Sequence, residues 1–458
     1  MPLINFSGIA SGIDSNSLID AMLDAQRQTR IVPHEKRVTQ LEDTNSALEE
    51  LKTKVQAFRD AAYKFTTLSG GAIAKMAASS DESRVAATAS NAAANGTYNL
   101  TVNALAKNAT GSFNYDFASS SAAVSASGGT VSITIGSGAG AQSFDINVGA
   151  GTTTVSQFIS EFNDKTDKAV ASLVKMEDDK YRIVISTNEH GTNNGALEIN
   201  STAADFDDVT LDDATDAEFL ISGIAGTITR STNTISDVIP GVSFKLYGTG
   251  SATISIATDV DSTMSVVQDF VDAYNDIVTY MAENNKVVRD DSGRETQNIF
   301  GPLSQTRVDD NLLTALRNAI SSSSYAAGTE IRIFADLGIT TDRDGTLNFN
   351  EDTFRTALNK EPNSVNEIMR TFSDTVATTT GTIAQFTRFG GLFDVTTRAN
   401  QSSVEDLRKR ISEAEAQLER QRENLMARFA RLESMMGKLQ GQQTALTNAL
   451  AGLGSTMR

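Results

Sequence analysis

The sequence has no cysteine and no tryptophan, and only two histidines and five prolines among 458 residues. Without cysteine there can be no disulfide, no thiolate nucleophile and no soft-metal site. Positive charge is also scarce. Lys and Arg number 39 against 57 Asp and Glu, a formal net charge of −18, and such a surface repels a phosphate backbone, so no nucleic acid is expected as a partner. No stretch approaches the roughly eighteen consecutive apolar residues of a spanning helix, and no membrane partner is expected. The first 26 residues carry an acid at Asp14 and no base before Arg27. A secretory signal has the opposite pattern, so any export is expected to take another route.

Chemistry-bearing motifs are equally sparse. His34 follows the helix-breaking Pro33, and His190 lies in the turn-like "NEHGTNNG". Neither has the neighbours of a metal site or a triad. "GSGAG" at 136–140 sits between two strand-like runs, with no helix start behind it to hold an anion, and reads as a hairpin connection. "GIASGID" near the start lacks the Lys and Thr of a phosphate loop. "TTDRDGTLNFNE" offers Asp342, Asp344, Gly345, Leu347 and Glu351 at calcium-loop places, but Thr340 stands where the leading carboxylate belongs. The competing reading is a hairpin bent at Asp344 and Gly345, followed by a helix. No catalytic, cofactor-binding or metal-binding residue is assigned, no cofactor is expected, and an enzyme would need an acid pair that no motif reveals.

What the chain does have is periodicity at both ends. A helix is predicted after Ser17, capped by its hydroxyl with Asp20 three residues on, carrying Leu18, Ile19, Met22 and Leu23. Pro33 interrupts it. In a second helix Leu41, Leu48, Val55 and Ala62 recur every seven residues and Leu51, Phe58 and Phe65 sit three further on, with a polar slip at Thr44. At the other end Val404, Ile411, Leu418, Leu425, Leu432, Leu439, Leu446 and Leu453 keep strict seven-residue spacing. Fifty residues at the helical rise give a rod of about 75 Å. Its second row drifts by one place to Phe429, Met436 and Leu450, as happens where a helix leaves a strict supercoil. Gly437 and Gly441 each cost about 1 kcal/mol inside a helix, so the last turns are expected to order on packing. Either this rod packs on its own globular domain, or the two terminal seams pair as an antiparallel hairpin, the arrangement favoured by their position and comparable length.

Between the ends, runs such as "GTYNLTVNAL", "TVSITIG", "YRIVIST" and "ATISIAT" alternate apolar and polar residues between turn signals. Residues 76–260 hold 21 acids and 9 bases, so the β region is the acidic, solvated part. One helix interrupts it, with Val155, Phe158, Ile159 and Phe162 on one face. The fold class is therefore α+β: long N- and C-terminal helices forming an antiparallel coiled-coil leg, with β-rich antiparallel head domains inserted between them. The β-rich region, about 79–258, is thus inserted into a helical protein whose two ends belong together.

Four separated stretches in order, "INFSGIASGIDSNSLIDAML" at 4–23, "STNTISDVIPGVSFKL" at 231–246, "TDVDSTMSVVQDFVDAYNDIVTYM" at 258–281 and "LGITTDRDGTLNFNEDTFRTALNKEPNSVNEIM" at 337–369, resemble the bacterial flagellar filament-capping family, also called hook-associated protein 2. The middle, "TVSQFISEFNDKT" with "YRIVISTNEHGTNNGALEI", is similar to a module inserted in several flagellins and hook-associated proteins. The resemblance implies a homo-oligomeric ring at the distal tip of the extracellular flagellum, where exported flagellin folds and inserts. It implies the finer division into an arm and leg helices at 1–75, an inner head domain in two parts at 76–108 and 206–258, an outer inserted domain at 109–205, a helical leg domain with a hairpin at 259–400, and a terminal coiled-coil helix at 401–458. It also implies the type III export apparatus, a cytosolic chaperone and the hook–filament junction protein as partners. Carried onto this chain, it makes Phe6, Ile9, Ile13, Leu18, Ile19, Met22 and Leu23 a docking arm. Leu41, Leu48, Leu51, Val55, Phe58, Ile411, Leu418, Leu425 and Leu432 become the leg coiled coil, and Leu439, Leu446, Leu450 and Leu453 the chaperone and export contact. A flagellar surface adhesin and another hook-associated junction protein remain the alternative functions.

Overall fold

The computed structural model describes residues 14–455 apart from 67, 69 and 291–296. Its helices in chain order are α1 (Ser15–Arg30), α2 (Val32–Tyr63), α3 (Val155–Lys165), α4 (Val260–Asn284), α5 (Val308–Ser322), α6 (Glu351–Lys360), α7 (Pro362–Val376), α8 (Thr382–Thr387) and α9 (Leu392–Ser455). Two compact units result: Met1–Thr66 with Val266–Arg458, mainly helical, and Thr67–Ser265, mainly strands. The fold is α+β, with the chain's two ends in one unit and the β-rich segment inserted between them.

In the β unit every pairing between named strands is antiparallel. A five-stranded sheet runs, edge to edge, Lys75–Ser79, Gly250–Thr258, Gly96–Ala104, Ala217–Ile221 and Ile228–Arg230. Alternation of side chains buries Leu100, Val102, Phe219 and Ile254 from it, and Phe244 from a neighbouring three-stranded sheet joins the same core. A second core is built from residues 109–214 alone. There Phe113 stacks on Phe206 at 4.1 Å, Phe158 of α3 meets both rings edge-on, and Ile133 and Ile185 close the space. Helix α3 begins at a reciprocal cap in which the Thr154 hydroxyl accepts the Gln157 amide N–H and the Gln157 side chain accepts the Thr154 N–H. The "GSGAG" segment does connect two paired strands, Gly129–Ile135 and Gln142–Val148. Asp205 binds the 125–127 turn through the hydroxyls of Ser125 and Ser127 and the N–H groups of Ala126 and Ser127, and these donors hold its carboxyl well below the usual range.

The helical unit is organised around an aromatic cluster. Phe58 of α2 lies 5.3 Å from Phe270 and 5.8 Å from Tyr274, both of α4, and 6.4 Å from Phe372 of α7, and all four are buried. The "TTDRDGTLNFNE" stretch is a hairpin, Ile339–Thr341 with Leu347–Phe349, leading into α6. Its Asp344 carboxylate accepts the N–H and hydroxyl of Thr346, at 3.0 and 2.6 Å. Gly345 adopts φ +92°, a left-handed value that any side chain would strain.

Two local expectations change. The cap of α1 is Asp14, whose carboxylate accepts the N–H groups of Asn16 and Ser17 at 3.2 Å, so the helix begins before Ser17. Helix α9 starts at Leu392, giving 64 residues and roughly 96 Å at the helical rise. Its first turns, "LFDVTTRANQSS", are poor in strong helix formers, and burial of Phe393 and Val404 overrides that weak local preference.

Candidate assembly surface

The two terminal seams do meet. Asn400 bonds to Asn45 at 2.8 Å, Arg408 to Glu42 at 2.7 Å, Glu415 reaches Arg27 at 4.0 Å, and Arg422 pairs with Asp20 at 3.3 Å. As α9 advances its partners fall back along α2 and then α1, so the pairing is antiparallel. Inside this ladder Val38 and Leu41 pack against Val404, with Leu407 and Ile411 beside them. Ile31, fully buried, joins α1 to α2, and Pro33 occupies the first turn of α2, where its missing amide hydrogen costs nothing. Thr44, read as a polar slip in the seam, is buried and satisfied. Its hydroxyl bonds to the carbonyls of Gln40 and Pro302 at 2.8 Å.

The arm residues divide by face. Ile19 and Leu23 are buried, whereas Leu18 and Met22 are 44% and 46% exposed. Of these four described residues, only the latter two are available for contact with another molecule. Phe6, Ile9 and Ile13 lie outside the described residues.

The leg residues also divide. Leu41, Leu48, Leu51, Val55 and Phe58 are all buried, but Phe58 packs against α4 and α7 instead of α9, because the amino-terminal helix pair outruns the start of α9. Of the α9 seam, Ile411, Leu418 and Leu425 are half-buried, and Leu432 is 56% exposed. With Asp20 opposite Arg422 and α1 beginning at Ser15, no described residue of the arm reaches as far as Leu432. Beyond it Leu439 and Leu446 are 59% and 66% exposed, while Leu450 and Leu453 belong to α9 but their side chains lie outside the described residues.

One surface feature went unnoticed in the sequence. The two-stranded ribbon Val287–Asp290 with Gln297–Phe300 exposes Val287, Val288, Ile299 and Phe300. The alternation signal was present there but short. At the ribbon's foot Tyr280 donates to Glu50 and to the Ala47 carbonyl at 3.2 Å, and burial first, then the Glu50 charge, pushes the phenol up to about 12. Among the described residues no cluster of three or more His, Asp or Glu is arranged to hold a metal, and no helix is long and apolar enough to cross a membrane.

The chain matches the sequence profile of the flagellar hook-associated protein 2 N-terminus over residues 11–109 and that of the flagellar hook-associated protein 2 C-terminus over residues 214–441. It belongs to the flagellar hook-associated protein 2 family. The profiles of this family leave out 110–213, the stretch that builds the second β core. Among its relatives, the A-type flagellar hook-associated protein 2 of Pseudomonas aeruginosa is 26% identical, over 98% of this chain and 97% of the relative. The flagellar hook-associated protein 2 of Escherichia coli K12 is 25% identical over 98% of each. Among solved structures, the D1-D2-D3 domains of the Escherichia coli flagellar cap protein FliD superpose with a TM-score of 0.61 at 21% identity, covering 78% of this chain and 99% of that one. This likeness bears on the fold. The hook-associated protein 2 family is one of structural flagellar proteins, and the chain is accordingly a component of the bacterial flagellum.

Proposed function

We propose that the chain forms a ring-shaped homo-oligomeric cap at the distal, extracellular end of the growing filament, promoting the folding and insertion of exported flagellin. Beyond family membership, the observation that carries this reading is the leg: a long antiparallel helical stalk whose seam is filled internally as far as Leu425 and then left with exposed Leu432, Leu439 and Leu446. An apolar stripe of that length on one helix serves contact with other molecules. In this reading Leu18 and Met22, with Phe6, Ile9 and Ile13, dock within the assembled cap and filament end. Leu439, Leu446, Leu450 and Leu453 are covered by a chaperone before passage through the type III export apparatus, and the cap first seats on the hook–filament junction protein. The β unit supplies the head, divided into an inner domain, 76–108 with 206–258, and an outer one, 109–205.

The test is a strain producing the protein without residues 439–458. Hooks without filaments, with monomeric flagellin shed into the medium, are the expected outcome. Normal filaments would remove these residues from capping, and normal filaments in a full deletion would overturn the cap reading.

One observation favours an added role. The outer β module has its own core and falls between the two family matches, as an adhesive insert would. Removing residues 109–205 should then abolish attachment to a host surface while filaments persist.

A further inference from the structure

In the helical unit a groove of about 300 Å3 lies between α2, α5 and α9, lined by buried Leu41 and Val308 and by two arginines, Arg37 and Arg307. No carboxylate lines it. Arg37 donates to the amide oxygens of Gln305 and Gln40, at 2.5 and 3.3 Å. Among the described residues the Arg307 side chain has no hydrogen bond or ion pair. The acid nearest in sequence that is buried, Asp309, turns away, with one carboxylate oxygen accepting from Asn285 at 2.5 Å. Some guanidinium groups of the same unit are neutralised, as in Arg408 with Glu42, Arg422 with Asp20 and Arg370 with Glu367, whereas Arg332 donates to the Gly328 carbonyl at 2.8 Å. Two arginines without an ion pair thus line one groove of a chain with net charge −18, with Asp309 and Asp310 in the first turn of α5 beside them.

The groove does not stand alone. The segment from Phe300 to Arg307 borders it and also a second groove of about 340 Å3, lined by Phe300 at the foot of the exposed ribbon and by Asp43 and Glu50 of α2. Each face of that ribbon carries one apolar pair, Val287 with Phe300 on one and Val288 with Ile299 on the other, beside the polar pairs Arg289–Asn298 and Asp290–Gln297. A two-stranded ribbon has no sheet of its own to bury such residues against. A small inorganic anion would answer the arginines and leave the ribbon bare. A protein segment answers both.

We propose that the Arg37–Arg307 groove receives an acidic side chain of a protein partner whose adjacent apolar residues cover the Val287–Phe300 ribbon, and that this partner is the filament subunit. Naming the partner rests on the cap reading above. The docking would be steered by charge, with Arg37 and Arg307 setting the register of the incoming segment and the ribbon supplying apolar area.

A photo-crosslinking amino acid at Asn311, which lines the groove, placed in the full-length protein in cells extending filaments, tests this. The expected result is a covalent adduct with flagellin that falls at least about tenfold in the R37E/R307E background and persists with R37K/R307K. The thermal unfolding of the purified variants should match that of the parent. An adduct only with another copy of this chain, or a flagellin adduct unchanged by the charge reversal, overturns the proposal. The two readings separate cleanly. If a full deletion lacks filaments but R37E/R307E restores them to parental length, the groove is wrong and the cap stands; if the deletion strain makes normal filaments, the cap reading itself fails.

Discussion

The two halves of α9 carry one seven-residue repeat and have opposite fates. From Val404 to Leu425 the repeat is buried or half-buried against α1 and α2, and from Leu432 to Leu446 it is exposed. The spacing is the same, so spacing alone does not decide burial. Periodicity specifies that a face exists; what covers it depends on how far the opposing helices extend, and α1 stops at Ser15.

Four substitutions sharpen or break this contrast. The largest effect is expected from Phe58→Ala, which empties the centre of the ring cluster formed with Phe270, Tyr274 and Phe372 and should destabilise the purified protein by about 3–5 kcal/mol in denaturant melts. A loss under 1 kcal/mol would show that the cluster is not where the helical unit gains its stability. Val404→Ala, in the covered half of the seam, removes the equivalent of two buried methylenes and should cost about 1.5 kcal/mol. Gly441 has open space where a side chain would project, so Gly441→Ala should stabilise the terminal turns by about 1 kcal/mol, read as slower amide exchange around residue 441 and no change elsewhere. Leu439→Ala should leave the isolated protein within about 0.5 kcal/mol of the parent. A larger loss would mean that the exposed half is covered within the monomer, and the contrast would collapse.

Much of this architecture was legible in the chain. The seven-residue seams, the alternating strands, the hairpin at Asp344–Gly345 and the pairing of the two ends all follow from patterns that are local or regular. What escaped depends on residues far apart in sequence. Thr44 looked like a defect in a seam because the Pro302 carbonyl that satisfies it lies 258 residues away. Phe58 looked like a coiled-coil residue, since nothing local announces that α4 and α7 will bring aromatic rings to it. Ser17 offers the more familiar capping-box spacing with Asp20, yet the Asp14 carboxylate takes two amide N–H groups, those of Asn16 and Ser17. The arm divided into Ile19 and Leu23 inside and Leu18 and Met22 outside only once the position of α9 was known. Arg37 and Arg307 are 270 residues apart, and unpaired charge cannot be read from composition.

The ladder from Asn400–Asn45 to Arg422–Asp20 also fixes an order of events in biosynthesis. Its two strands of helix are separated by almost the whole chain, so no part of it can close until about 400 residues have left the ribosome. At roughly 5–20 residues per second that delay is about 20–80 seconds. During that time the β unit can complete its own antiparallel sheets, while Ile19, Leu23, Val38 and Leu41 wait without their partner. Closing so large a loop adds little entropy beyond that of a moderate one, so the penalty is one of time, and the helical stalk is the last piece of the nascent molecule to form.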